Sequence, residues 1–249
     1  MPVLLYEKRD GVAYITLNRP EALNAFNDEL NEAIGKVWTD FRDDKSLFVG
    51  ILTGSGRAFS TGADLKEMTA RGMGAGSRPL NTPIKMEVWK PLIAAIDGYA
   101  VGGGFGMALQ CDIRLATERS ELGDVETRVS SWGALHLTRM IPVGEALYIL
   151  LSGARIKAQE AYRIGLVHKV LPDRESLMQE AKRIADELKL AAPLAVQAVR
   201  RLTYTGLFKP WEEVDALAQK IRHEVSLTED AQEGPRAFAE KRKPVWKMR

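Results

Sequence analysis

Twice in this chain of 249 residues, a short apolar run passes straight into small residues and then into a helix-compatible segment. The first junction is Thr53-Gly54-Ser55-Gly56-Arg57-Ala58-Phe59-Ser60-Thr61-Gly62-Ala63-Asp64-Leu65-Lys66. The second is Ile96-Asp97-Gly98-Tyr99-Ala100-Val101-Gly102-Gly103-Gly104-Phe105-Gly106. Each reads as a buried strand that must turn sharply, and its small residues let backbone come close to a ligand. Free N–H groups at a helix start favour negative charge. A turn is enough to explain one such junction. Two of them converging from separate loops would form an oxyanion hole.

The rest of the chain alternates strand and helix around these junctions. Val3–Glu7 and Val12–Leu17 are β-rich runs flanking Arg9-Asp10-Gly11, where Asp-Gly favours a tight hairpin. Leu30, Ile34, Val37, Trp38 and Phe41 fall on one helical face, with Asn27 as its N-cap and Asp28 and Glu29 in its first turn. Leu47–Thr53, Pro91–Asp97 and Asp112–Ala116 read as strands, and Thr69–Pro83 as a mobile surface loop. From Val143 onward the pattern is mostly helical. One helical face follows Asp173, Pro193 opens another helix, and Val214, Leu217, Ala218, Ile221 and Val225 mark a third. This predicts an α/β fold with crossover connections, a core over residues 1–192 and a helical region over 193–249. Trp211, Phe238 and Trp246 give that tail more apolar surface than it can hide alone, which points to subunit packing.

Composition excludes several classes. Lys+Arg 35 against Asp+Glu 33 leaves a formal charge of +2, so there is no broad basic field for nucleic acid. There is no apolar run of about 18 residues for a membrane span, and the opening residues do not resemble a signal peptide. Cys111 is the only cysteine, which rules out an internal disulfide and paired-cysteine zinc sites. A reducing, cytoplasmic setting is the expectation. The chain has no Gly-x-Ser-x-Gly elbow, no His-Glu-x-x-His and no phosphate-binding Gly-x-x-x-x-Gly-Lys-Ser/Thr loop. Gly102-x-Gly104-x-Gly106 starts like a dinucleotide fingerprint, but Met107 stands where its last glycine belongs. His136, His168 and His223 read as surface or structural residues, so no metal site is expected.

At the two junctions the chain resembles the crotonase superfamily, also called the enoyl-CoA hydratase/isomerase family. The shared text includes Leu17-Asn18-Arg19-Pro20-Glu21-Ala22-Leu23-Asn24-Ala25, the stretch 58–66 and the stretch 91–104. It continues through Cys111-Asp112-Ile113, Ala161–Val170 and Phe238-Ala239-Glu240-Lys241-Arg242-Lys243. The resemblance implies a crotonase-like fold of repeated ββα units with a C-terminal helical trimerisation region. It implies an acyl-CoA thioester substrate, with coenzyme A part of the substrate and no separate cofactor, and a homotrimer or dimer of trimers. By motif position the oxyanion donors fall on the N–H groups of Ala63 and Gly103. Coenzyme A would lie along Ala22, Leu23, Ser60, Thr61, Asp64 and Leu65, with Lys66 toward the adenosine end. Phe238 and Lys241 would reach a neighbouring subunit's nucleotide.

The chain also departs from the family pattern. Hydratases of the family carry a glutamate two residues after the triple glycine, where this chain has Gly106. The second family glutamate corresponds to Glu126. Asp124 would share its face if the stretch is strand-like, and so is a candidate helper acid. Ala134 stands near the position of the aspartate that dehalogenases and dienoyl isomerases use. Trp132 reads as narrowing the acyl pocket. With one carboxylate retained, the expected reaction is Δ3-Δ2-enoyl-CoA isomerisation. Hydration at a depleted site and non-catalytic acyl-CoA binding are the alternatives.

Overall fold

The computed structural model describes residues 1–70, 79–131 and 133–249. Strands β1 (Leu4–Arg9) and β2 (Val12–Leu17) form an antiparallel hairpin. Asp10 and Gly11 at its tip both have positive φ, 52° and 75°, the conformation an Asp-Gly two-residue turn demands. Helix α1 (Asp28–Asp43) is capped by Asn27, whose side chain accepts the N–H of Leu30. It buries Leu30, Ile34, Val37, Trp38 and Phe41.

A repeating unit then sets the architecture. Strands β3 (Val49–Gly54) and β4 (Ala58–Ser60) are followed by α2 (Leu65–Ala70). Next come β5 (Leu92–Ile96), β6 (Tyr99–Val101) and α3 (Gly103–Leu109), and then β7 (Ile113–Thr117) and β8 (Glu121–Gly123). In each unit the first strand joins a six-stranded sheet and the second a four-stranded one. With β9 (Ile156–Lys157) and β10 (Lys169–Leu171), the orders are β1-β2-β3-β5-β7-β10 and β4-β6-β8-β9. The units therefore stack in parallel register, β3 on β5 on β7 and β4 on β6 on β8. The repeated ββα arrangement that the resemblance implies is present.

The large sheet is apolar on both faces, as a parallel sheet covered on both sides must be. One face packs Val12, Val49, Ile51, Ile93, Ala95 and Leu115 against α6 (Arg174–Leu188). The other meets the main core with Trp38, Phe41, Phe59 and Phe105, all fully buried. Lys90 is buried beneath the end of α1, where its ammonium donates to the carbonyls of Phe41 and Asp44.

Helices α4 (Val143–Ser152) and α5 (Ala158–Arg163) lead to α6, and α7 (Pro193–Gly206), α8 (Trp211–Ser226) and α9 (Glu229–Ala239) form the tail. Pro193 is in the first turn of α7. Arg200 on α7 is buried and ties the tail to the body, pairing with Asp112 at 2.7 Å and donating to the carbonyls of Val88 and Gln110. The last residues fold back on α9. Asp230 accepts the N–H groups of Lys247 and Met248, and Glu233 accepts that of Val245 and pairs with Arg242. Helix α9 lies within the helical region expected over 193–249, although no separate apolar face is assigned to it there, and it carries Pro235 inside the helix.

Candidate active site

The first junction is held in place by the segment before α1. Asn24 is fully buried with φ 56°, and its amide donates to the carbonyls of Ser55 and Ala58. Arg19 reaches over to Asp64 at 3.0 Å and to the carbonyl of Ala25. The N–H of Phe26 donates to Gly62, and that of Asp64 donates to Phe26. These bonds form a one-residue parallel bridge between Phe26 and Ala63. Donor direction alternates along an extended chain, so the N–H of Ala63 faces away from Phe26.

What it faces is the second junction. Gly62 has φ +87°, and a β-carbon there would stand 2.7 Å from the Gly103 nitrogen. A β-carbon on Gly103 would in turn be 3.8 Å from the Ala63 nitrogen. Gly103 is the first residue of α3, where an N–H has no intrahelical acceptor. Neither amide has a backbone acceptor among the described residues. Two unpaired donors from successive ββα units thus converge, and Leu80 folds over them, its side chain 3.1 Å from the Gly103 β-position.

Glu126 stands beside these amides. A β-carbon on Gly102 would be 3.0 Å from its Oε1. A cleft of about 70 Å³ is lined by Ala63, Gly103 and Glu126, with Phe26, Asp64, Met68 and Leu80 among its other walls. Burial raises the Glu126 carboxyl above its ordinary range. The neighbouring Asp124 charge adds to this, and a hydrogen bond with Ser131 works the other way.

The strand-like reading of 124–126 is corrected here. Strand β8 stops at Gly123, and Glu126 opens a 3-10 turn, Glu126–Val129. Asp124 therefore does not share a face with Glu126. Its Oδ1 accepts the Glu126 N–H at 3.1 Å, while Glu126 lines the cleft and Asp124 does not. Asp124 is 2% exposed, and its Oδ2 has no partner among the described residues.

Gly106 lies one turn beyond Gly102 on α3, its N–H bonded to the Gly102 carbonyl. A β-carbon there would meet nothing within 4 Å. Among the described residues nothing crowds the point where a first acidic side chain would begin, and Gly106 itself is not among the residues lining the cleft.

The remaining sequence-derived residues divide into two groups. Ala22, Leu23, Thr61, Asp64, Leu65 and Lys66 lie around the first junction; Leu23 accepts the Thr61 N–H, and Leu65 is exposed. Ser60 belongs there too, but it is fully buried, with its hydroxyl bonded to the Asn24 carbonyl and the Gly62 N–H. Phe238 and Lys241 sit at the far end of the tail and are not among the residues lining the cleft. Phe238 is 87% exposed. Trp132, expected to narrow the pocket, lies outside the described residues, as does most of the expected loop at 69–83. Sequence reasoning missed the bracing roles of Arg19 and Asn24. Their partners lie 31 to 45 residues away in the chain, and no local sequence signal marks them.

Among the described residues no cluster of His, Cys, Asp and Glu suits a metal ion, and no helix is long and apolar enough to cross a membrane.

Comparison with known proteins agrees with this geometry. The family model "Enoyl-CoA hydratase/isomerase" matches residues 7–249. The (E)-benzylidenesuccinyl-CoA hydratase of Thauera aromatica is 39% identical over 256 residues, covering 99% of each chain. The carnitinyl-CoA dehydratase of Salmonella typhi is 38% identical over 260 residues, covering 98% of each. Among solved structures, an enoyl-CoA hydratase of Mycobacterium tuberculosis superposes with TM-score 0.89 at 34% identity, covering 99% of each chain. A full-length family match, relatives of this identity and the stacked ββα units agree: the chain belongs to the enoyl-CoA hydratase/isomerase family.

Proposed function

We propose that the protein is an acyl-CoA enzyme whose Ala63 and Gly103 amides hold a thioester enolate while Glu126 moves the proton. The observation that carries this reading is the pair of converging N–H groups, without a backbone acceptor among the described residues, with the Glu126 carboxylate beside them and Asp28, Asp64 and Glu67 elsewhere on the cleft wall. Removing the α proton of a thioester sends charge to its carbonyl oxygen. Losing one fixed donor to that oxygen costs roughly 3–4 kcal/mol. Coenzyme A would run along Ala22, Leu23, Ser60, Thr61, Asp64 and Leu65 toward Lys66. The buried Ser60 hydroxyl is already bonded, so any contact there is through backbone.

Δ3-Δ2-Enoyl isomerisation is the reaction that a single carboxylate serves best. Glu126 takes the α proton of a 3-enoyl thioester, the dienolate rests on the two amides, and the same carboxyl returns the proton to the γ-carbon. Its raised proton affinity suits a group that must both take and give a proton near neutral pH. A second reading, reversible hydration, is favoured by the relatives' names, hydratase and dehydratase. It requires a water activated without a first glutamate, and the uncrowded point at Gly106 is where that water would stand.

Turnover of paired 3-enoyl and 2-enoyl thioesters separates the two. The isomerase reading expects isomerisation to exceed hydration and Glu126→Gln to lose about 10²–10⁴-fold in rate while acyl-CoA still binds. Faster hydration of a crotonyl thioester would overturn it. Full activity in Glu126→Gln would overturn the role of Glu126 in either reaction, and no turnover of either thioester by the wild type would leave an acyl-CoA binder. We further propose assembly as a trimer or dimer of trimers, supported by the exposed Phe208, Trp211, Leu227 and Phe238 of the tail. Light scattering that reports a monomer at micromolar concentration would refute it.

A further inference from the structure

A buried carboxylate with an oxygen that nothing donates to is an expensive arrangement. Asp124 is such a group. It is almost wholly out of solvent, and among the described residues its Oδ2 has no partner and no cation pairs with it. Its other oxygen is occupied by the N–H of Glu126 at 3.1 Å. Both side chains press on one point of the following segment: a β-carbon on Gly133 would be 3.1 Å from Asp124 Oδ2 and 3.4 Å from Glu126 Cγ. Asp124 is thus sealed behind Glu126, within reach of its charge and out of reach of the cleft.

We infer that Asp124 is a positioning residue for Glu126: it fixes the main chain on which that carboxylate stands and sets how tightly it holds its proton. The inference rests on the reading of Glu126 as the acid-base group. A negative charge on Asp124, one hydrogen bond from the Glu126 main chain, disfavours ionisation of Glu126. Among the described residues, the other charged groups around Glu126 do not cancel this effect. Asp28, Asp64 and Glu67 share the cleft walls from α1 and α2, and Asp64 is already paired with Arg19. Helix α3 presents the glycines Gly102 and Gly103 at this point. Arg128, on Glu126's own turn, is directed to the Ser152 carbonyl. On the following segment, burial and Arg114 both keep the His136 imidazole from charging. The raised proton affinities of Asp124 and Glu126 agree in direction with this geometry.

The sign follows directly. Glu126 removes a proton only when ionised, so a tighter hold moves the acidic limb of the pH–rate profile upward and makes the ionised form a stronger base. Asp124→Asn keeps an acceptor for the Glu126 N–H and removes the charge. The readout is deuterium uptake at the α-carbon of butyryl-CoA in D2O, which requires enolisation alone and is independent of isomerisation or hydration. In Asp124→Asn the acidic limb should move down by about one pH unit, and the plateau rate should fall about threefold. KM for butyryl-CoA should stay within about twofold. Asp124→Ser, whose hydroxyl also accepts from the Glu126 N–H, should move the limb the same way.

A plateau loss with an unmoved limb in both variants would mean that Asp124 is only structural and would overturn the inference. So would failure of both variants to fold, read by thermal unfolding. Wild-type exchange in Glu126→Gln would instead overturn the role of Glu126, a separable result.

Discussion

The ββα body and the C-terminal tail solve the problem of apolar surface in opposite ways. In the body, Trp38, Phe41, Phe59 and Phe105 are fully enclosed between two sheets and their helices. In the tail, Phe208, Trp211, Leu227 and Phe238 are each more than half exposed, and the buried groups include the charged Arg200, Asp230 and Glu233. The body holds its shape by close packing; within one chain the tail holds its shape by ion pairs and amide-to-carboxylate bonds. Close packing tolerates no added volume and little depends on pH, whereas a polar clasp tolerates surface change and depends on charge.

The sharpest way to break this contrast is at the buried ion pair between tail and body. Arg200→Ala leaves Asp112 and the carbonyls of Val88 and Gln110 without their donor. Losing one partner of a buried pair costs about 3–5 kcal/mol, and the partial exposure of Asp112 puts this one near the lower figure. Denaturant unfolding should report it, together with faster proteolysis of the tail. A variant within about 0.5 kcal/mol of wild type would mean that α7 is held by something other than this residue.

Next comes the body's intolerance of volume. Gly62→Ala forces a side chain into positive φ and brings a β-carbon 2.7 Å from the Gly103 nitrogen. One amide of the converging pair must shift. Enolisation should slow by about 10²-fold, with a smaller change in acyl-CoA affinity. An unchanged rate would show that the two N–H groups do not act together.

Acid should reveal the tail before the body. Arg242 above all, then the Val245 amide, hold the Glu233 carboxyl well below its ordinary value. A carboxyl depressed in the folded state stabilises above its unfolded pKa and loses that contribution as pH falls through the folded value. Amide exchange over 240–249 should therefore lose protection as pH drops below about 4.5, the ordinary glutamate value, while β3 and β5 stay protected. Uniform loss along the chain would erase the distinction. The smallest effect is expected from Trp211→Ser and Phe238→Ser, which should leave the stability of the single chain within about 0.5 kcal/mol while shifting sedimentation toward smaller species.

Much of the fold was readable because local signals agreed with tertiary need. Asp10-Gly11 forms the expected turn, Asn27 caps α1 and Pro193 starts α7. The two junctions announced themselves through their glycines: both Gly62 and Gly102 have positive φ, and a β-carbon would meet the Gly103 backbone at Gly62 and the Glu126 carboxylate at Gly102. The order of strands across two sheets was not readable from periodicity, because β4, β6 and β8 are three residues each and too short to show a period. Asp124 was misjudged for a related reason. Alternation would turn Asp124 and Glu126 to one side, but the chain leaves β8 at Gly123 and tightens into a 3-10 turn. Arg19 and Asn24 went unnoticed because bracing across 30 to 45 residues leaves no local mark.

The parallel pairing of β4 with β6 also acts as a ruler. Ala58 lies opposite Tyr99 and Ser60 opposite Ala100, so the two chains enter their junctions one strand spacing apart, about 4.8 Å. The gap between the Ala63 and Gly103 amides follows from that spacing, with the Asn24 and Arg19 side chains holding the first junction in place. If the two amides hold a thioester oxygen as proposed, evolution can reshape the walls of the cleft at little cost to that grip. The acyl group a descendant accepts is then free to drift, while the atom it polarises stays the same.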